Sequence, residues 1–132
     1  MRIVNPESLG EPRGWSNGLL APAGGRVLFV AGQTARGPDG GIVPGGFVAQ
    51  FEQAIERVLR VVREAGGEPR DVGRMTVYVT DLAAYRGNLE SLGEAWRRHM
   101  GRHYPAMALV EVHGLVDEGA LVEIEATAVL NP

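Results

Sequence analysis

Apolar residues spaced three and four apart over residues 47–65 restrict the fold of this chain more than any other feature. That spacing places the apolar side chains along one stripe of an α-helix, while glutamine, glutamate and arginine fill the opposite side. Gly66 and Gly67 follow directly, and glycine readily adopts the left-handed conformation that ends helices. Because a helix with one apolar face has to bury it against another layer, the sequence predicts a layered domain.

Segments with the residue preferences of β-strands flank this helix. The apolar run 27–31, bounded by glycines, predicts a strand buried on both faces, and 72–80 predicts another strand. The first 25 residues are rich in glycine and proline and predict only loops and short strands. At 132 residues the chain is expected to form a single domain, residues 1–132. Asp81 can cap a second helix, whose apolar face would carry Tyr85, Leu89, Leu92, Trp96 and Met100.

Two further strands are predicted at residues 106–113 and 120–130, joined as a hairpin. A mixed acidic and apolar sheet face is expected to meet water or to line a subunit interface. Alternation predicts that one face packs under the helices, formed by Ala108, Val110, Val112, Val122, Ile124, Ala126, Ala128 and Leu130. The opposite, mixed face would carry Met107, Leu109, Glu111, His113, Leu121, Glu123, Glu125 and Thr127.

The composition excludes several kinds of chemistry. The chain has no cysteine, which rules out a thiol nucleophile and thiolate metal sites. All 13 basic residues are arginine, so neither Schiff-base catalysis on lysine nor a P-loop is possible. A net charge of −3 argues against nucleic-acid or membrane partners. No run resembles a signal peptide or a membrane span, so we expect a cytoplasmic protein. His99 and His103 could share one helical face but lack a third ligand at a suitable spacing, so we expect no metal site.

Four motifs resemble those of the Rid family, the YjgF-like reactive-intermediate deaminases. They are VAGQ at 30–33, TVYVTD at 76–81, PAMALVEV at 105–112 and VEIEA at 122–126. The resemblance implies an α+β, chorismate-mutase-like fold, in which two helices pack on one face of a mixed β-sheet. It further implies a homotrimer with a small-molecule site in each cleft between subunits. The implied activity is hydrolysis of enamines or imines to a keto acid and ammonia, without a cofactor.

The resemblance also indicates a site. Glu123 matches the family glutamate that positions the attacking water, and the alternative is a strand glutamate that simply faces solvent. His113 would donate to a substrate or relay a proton, and the alternative is a strand-end histidine in contact with water. Together, the candidate substrate-binding residues are Trp15, Ala31, Gly32, Met107, Leu109 and His113.

This chain departs from the deaminase pattern at the substrate contacts. In the deaminase branch an arginine follows Pro-Ala and pairs with the substrate carboxylate, whereas this chain has Met107 there. A thioether cannot supply charged, forked donors to a carboxylate. The serine of the family motif is replaced by Ala31, and a family tyrosine corresponds to Trp15. The sequence therefore predicts a RidA-like hydrolase with altered substrate specificity.

Three functions remain open on the sequence alone. The first is a deaminase-type hydrolase that releases ammonia from small enamines or imines. The second is a non-catalytic trimer that binds a metabolite or a partner in the same clefts. The third is an endoribonuclease, which the acidic balance of the chain makes the least favoured.

Overall fold

The computed structural model describes residues 1–132 as a layer of helices packed on a β-sheet. The helices are α1 (Gly46–Glu64), α2 (Leu82–Arg86) and α3 (Leu89–Met100). A cluster of 20 buried hydrophobic residues fills the space between the helices and the sheet. The strands are β1 (Arg2–Val4), β2 (Gly18–Leu20), β3 (Arg26–Gln33), β4 (Val72–Val79), β5 (Ala106–Glu111) and β6 (Val122–Leu130).

The main sheet has the strand order β3-β6-β4-β5, and β1 and β2 form a separate antiparallel ribbon. β6 runs antiparallel to both of its neighbours, while β5 runs parallel to β4. The predicted hairpin of the last two strands is therefore wrong, because β4 lies between them. The physical reason is the helical crossover through α2 and α3, which returns the chain to the sheet in the parallel direction.

The two C-terminal strands differ in how well alternation predicted their faces. In β6 the predicted inner residues, from Val122 to Leu130, are buried, which confirms that face. In β5 the predicted face is wrong. Met75 pairs with Met107 and Val77 with Leu109, and both β4 partners are fully buried under the helices. Met107 and Leu109 consequently lie on the helix side of the sheet, away from Glu123.

The helices cover one side of the sheet and leave the other side, here called the uncovered face, open. Val30 is buried under α1, but Val27 and Phe29 are 56% and 80% exposed on the uncovered face. The prediction that this strand is buried on both faces is therefore wrong for a single chain. An apolar run shows that a strand has two apolar sides, and only the layers around it decide whether both are covered.

The first helix begins and ends close to the predicted residues, with Gly66 in a left-handed conformation at φ 89°. The second predicted helix is two helices. Asp81 caps α2 as expected, its carboxylate accepting from the Ala83 N–H at 2.9 Å. The helix then stops at Gly87, and the Asn88 side chain donates to the Ala84 carbonyl at 2.7 Å before α3 begins.

Candidate functional site

The sequence-predicted site residues form two groups on opposite faces of the sheet. Trp15, Met107 and Leu109 line a cavity on the helix side. Gly32 and Glu123 are in contact on the uncovered face, and Ala31 is exposed next to them. His113 is an exposed residue beyond the end of β5 and joins neither group. A single chain therefore does not bring Glu123 to the predicted substrate contacts.

Glu123 lies against a bulge in β3, where the register with β6 shifts between Val30 and Gln33. A Cβ placed on Gly32 would stand only 2.5 Å from Oε1 of Glu123, so only glycine allows this position of the carboxylate. Glu123 is partly buried and takes part in none of the ion pairs of the chain. Bulges commonly redirect a side chain beside a functional site.

The side chain of Gln33 holds the bulge in place. Its Nε2 donates to the Ala31 carbonyl at 3.2 Å, and its Oε1 accepts from Nε of Arg57 at 3.1 Å. Arg57 also donates to the carbonyl of Arg36 at 3.3 Å, which ties the end of β3 to helix α1. The last residue of the VAGQ motif thus fixes the backbone against which Glu123 rests.

A second carboxylate on the uncovered face, that of Glu125, is already engaged. The hydroxyl of Tyr78 donates to Oε2 of Glu125 at 2.8 Å. This hydrogen bond to a carboxylate raises the pKa of Tyr78 above its ordinary value, so the phenol stays protonated at neutral pH. Tyr78 is paired directly opposite Glu123 in the sheet, yet it donates to the other carboxylate. The carboxylate of Glu123 therefore receives no hydrogen bond from the Tyr78 hydroxyl.

The helix side of the sheet contains a cavity of about 320 Å³, here called the aromatic cavity. Trp96 and Tyr104 stack at 6.1 Å with an angle of 2° between their rings. Trp96 is fixed further because its Nε1–H donates to the His103 carbonyl at 3.1 Å. Ten of the thirteen lining residues are hydrophobic, and the full lining is Arg13, Gly14, Trp15, Phe51, Val77, Tyr85, Leu89, Leu92, Gly93, Trp96, Tyr104, Met107 and Leu109.

A short N-terminal segment forms one wall of the aromatic cavity. Ser16 anchors it, since its backbone N–H donates to the Pro105 carbonyl at 3.1 Å and its hydroxyl to the Tyr104 carbonyl at 2.6 Å. Trp15 is 43% exposed, and its Nε1–H donates to Oδ1 of Asn17 at 3.3 Å. These bonds hold Trp15 and the residues before it beside the start of β5.

Sequence reasoning missed several residues of this cavity. The sequence predicts Tyr85 and Trp96 on the apolar face of a helix, where they do lie, but the structure shows that this face also borders the aromatic cavity. Tyr104 had no assigned role, although its position directly before the PAMALVEV motif marked it. Arg13 lies outside every motif, and only its nearness in sequence to Trp15 hinted at the site.

The covered four-stranded sheet, the glycine bulge under a free glutamate and the cavity beside β5 together describe a protomer of the YjgF type. Residues 12–130 match the family described as Endoribonuclease L-PSP, and the chain belongs to this family, which includes the YjgF and RidA proteins. The resemblance found in the sequence motifs is thereby confirmed.

Proteins similar to this chain occur in Pyrococcus abyssi, Mus musculus and Yersinia pestis. A RutC family protein of Pyrococcus abyssi is 35% identical over 105 residues, covering 79% of each chain. A 2-iminobutanoate/2-iminopropanoate deaminase of Mus musculus is 31% identical over 108 residues, covering 81% of this chain and 76% of the deaminase. The crystal structure of YyfB, a Rid family protein of Yersinia pestis, aligns with 98% of both chains at 32% identity and a TM-score of 0.83.

These comparisons confirm the α+β, YjgF-type fold class, and they support an imine deaminase activity at the level of the family. None of the three helices is both long and apolar enough to span a bilayer.

Proposed function

We propose that this protein is a hydrolase of enamines or imines that releases ammonia without a cofactor, with Glu123 as its catalytic residue. The observation that carries the proposal is the partly buried, unpaired carboxylate of Glu123 held against Gly32. Relatives about 30% identical that are 2-iminobutanoate/2-iminopropanoate deaminases support the reaction class. Because Met107 stands where the deaminases have an arginine, we expect the substrate range of this chain to differ from theirs.

The reaction needs one carboxylate and one water molecule. The carboxylate of Glu123 accepts a proton from water as the water oxygen forms a bond to the imine carbon. The carboxyl group returns this proton to the nitrogen, which gives a carbinolamine. The carboxylate then accepts the hydroxyl proton of the carbinolamine and passes it to the nitrogen, so that the carbon–oxygen double bond forms as the carbon–nitrogen bond breaks, and a keto acid and ammonia leave. No electron is transferred and no group is carried between molecules, so the residues of the chain suffice.

The separation of the two residue groups supports a site built between chains. Phe29 and Val27 expose large apolar surface on the same face as Glu123, and such a surface is typical of an interface. In a homotrimer, the uncovered face of one protomer would meet the aromatic cavity of the next. Trp15, Met107 and Leu109 of one protomer and Ala31, Gly32 and Glu123 of another are the proposed substrate contacts, and His113 is a proposed outer contact.

Ammonia release from imines formed in situ by an amino acid oxidase tests the proposal. Replacing Glu123 by glutamine keeps the size of the side chain but removes its basicity, so kcat/KM should fall by about 10²–10⁴-fold. Glu118→Gln is the matched control, because Glu118 is exposed in a loop, and it should retain full activity. If Glu123→Gln releases ammonia as fast as the wild type, the proposed mechanism is wrong and a trimer that only binds a metabolite is favoured.

A further inference from the structure

The aromatic cavity is unusual for its lining. Five of the eight aromatic residues of the chain face it, namely Trp15, Phe51, Tyr85, Trp96 and Tyr104. Its volume of about 320 Å³ lies at the lower end of the range of about 300–1,000 Å³ for small-molecule sites. An imino acid of three or four carbons would leave much of this apolar space without contacts, whereas a planar ring would meet aromatic surfaces on several sides.

The only charged residue in the lining is an arginine. Arg13 is exposed and takes part in none of the ion pairs of the chain, unlike Arg36, Arg60 and Arg98. The anchoring of Ser16 holds it close to the start of β5, which carries Met107. No aspartate or glutamate lines the cavity, so nothing within it competes for the guanidinium group.

A second cation stands beside one residue of the cavity lining. The side chain of Arg97 folds back along α3, and its Nη1 lies 3.3 Å from the position that a Cβ on Gly93 would occupy. Gly93 lines the cavity, and Arg97 also has no acidic partner in the chain. An apolar, aromatic interior with one unpaired guanidinium group in its lining and a second beside it is complementary to a ligand that has an apolar ring and an anionic end.

We propose that the aromatic cavity binds arylalkyl carboxylates, with the ring inside and the carboxylate on Arg13. This inference rests on the proposed function in one respect: as a substrate class, it means imino acids with aromatic side chains. Arg13 is then the specificity-determining residue that supplies the charged partner absent at Met107. A guanidinium group suits this role because it offers two parallel donors to a carboxylate.

Equilibrium titration with 3-phenylpropanoate tests the binding without any reaction. Propanoate lacks the ring and 3-phenylpropanamide lacks the charge, so each should bind at least tenfold more weakly. Arg13→Gln should raise the Kd for 3-phenylpropanoate by about tenfold, the equivalent of about 1.4 kcal/mol. The same substitution should change the Kd for the amide by less than twofold. Arg63→Gln removes an exposed, unpaired arginine from α1, away from the cavity, and should leave the Kd for both ligands unchanged.

The inference is overturned if 3-phenylpropanoate binds no more tightly than propanoate, or if Arg13→Gln and Arg63→Gln bind it equally well. Ammonia release separates this outcome from a failure of the proposed function. Binding that depends on Arg13, with no ammonia released from any imine, would refute the hydrolase and leave the ligand class standing. Ammonia release that depends on Glu123 but favours alanine-derived over phenylalanine-derived imines would refute the ligand class and leave the hydrolase standing.

Discussion

The contact between Gly32 and Glu123 allows a substitution that moves the proposed catalytic carboxylate without removing it. An alanine at position 32 would place its Cβ 2.5 Å from Oε1, 2.9 Å from Cδ and 3.1 Å from Cγ of Glu123. Since ordinary contacts begin near 3.4 Å, the carboxylate oxygen has to retreat by about 0.9 Å. A misplacement of about 1 Å at a reacting group costs on the order of a hundredfold in rate.

The same substitution should leave the fold intact. The two nearest atoms, Oε1 and Cδ, belong to the far end of a flexible side chain, and Cγ at 3.1 Å has to give by only a few tenths of an ångström. Gly32 also does not have a positive φ. Replacing glycine by alanine at a compatible position stabilises a protein by about 0.4–1 kcal/mol, because it restricts the unfolded chain. We therefore expect Tm to rise by about 1–4 °C while kcat/KM for ammonia release falls by about a hundredfold.

Three measurements check this reasoning. Gly114→Ala is the control, since a Cβ at Gly114 would meet nothing within 4 Å, and its activity should match that of the wild type. Light scattering should show that the assembly of Gly32→Ala is unchanged. In a chain that already carries Glu123→Gln, adding Gly32→Ala should lower kcat/KM by less than threefold further, because both substitutions act on the same side chain. Full activity of Gly32→Ala would refute the role of this contact.

Three other predictions follow from the exposed face, the helix surface and the cavity. Phe29→Asp should convert the proposed trimer to monomers by light scattering, whereas Val116→Asp, at a fully exposed loop residue, should leave it assembled. Hydrogen bonds from Arg98 hold the pKa of Glu52 below its ordinary 4.5, so their stabilisation is present above pH 4.5 and is lost as pH falls through the lowered value. Glu52→Gln should therefore lower the free energy of unfolding by about 0.5–1 kcal/mol at pH 7, and thermal unfolding should show no difference once the wild-type carboxyl is protonated. Met107→Arg should raise ammonia release from alanine-derived imines by about tenfold and lower Tm, and unchanged turnover by a folded variant would contradict this.

The parts of the fold that sequence patterns predicted correctly are those with a single strong apolar side. Helix α1 has one apolar stripe, and its left-handed Gly66 marks where it ends. β6 alternates buried aliphatic residues with acidic or polar ones, so only one orientation buries its apolar side. In both elements the two faces differ enough in hydrophobicity to decide which face packs into the core.

The failures occur where both sides of an element are apolar. β5 has alanine and Val110 on one side and Met107 and Leu109 on the other, so its register with β4 decides which side faces the helices. The wrong orientation puts Met107 and Glu123 on one surface, whereas the structure has them on opposite faces of the sheet. Arg13 was missed for a different reason, because Ser16 positions its segment through hydrogen bonds to residues almost ninety positions later.

The position of β6 also affects how the protein folds during synthesis. β6 lies between β3 and β4, so neither of these earlier strands has its full set of partners until the ribosome has released residues 122–130. The pairing of β3 with β6 joins segments about a hundred residues apart, and such non-local pairing slows folding. Until then, β3 presents an apolar strand with two open edges, which is a hazard for aggregation.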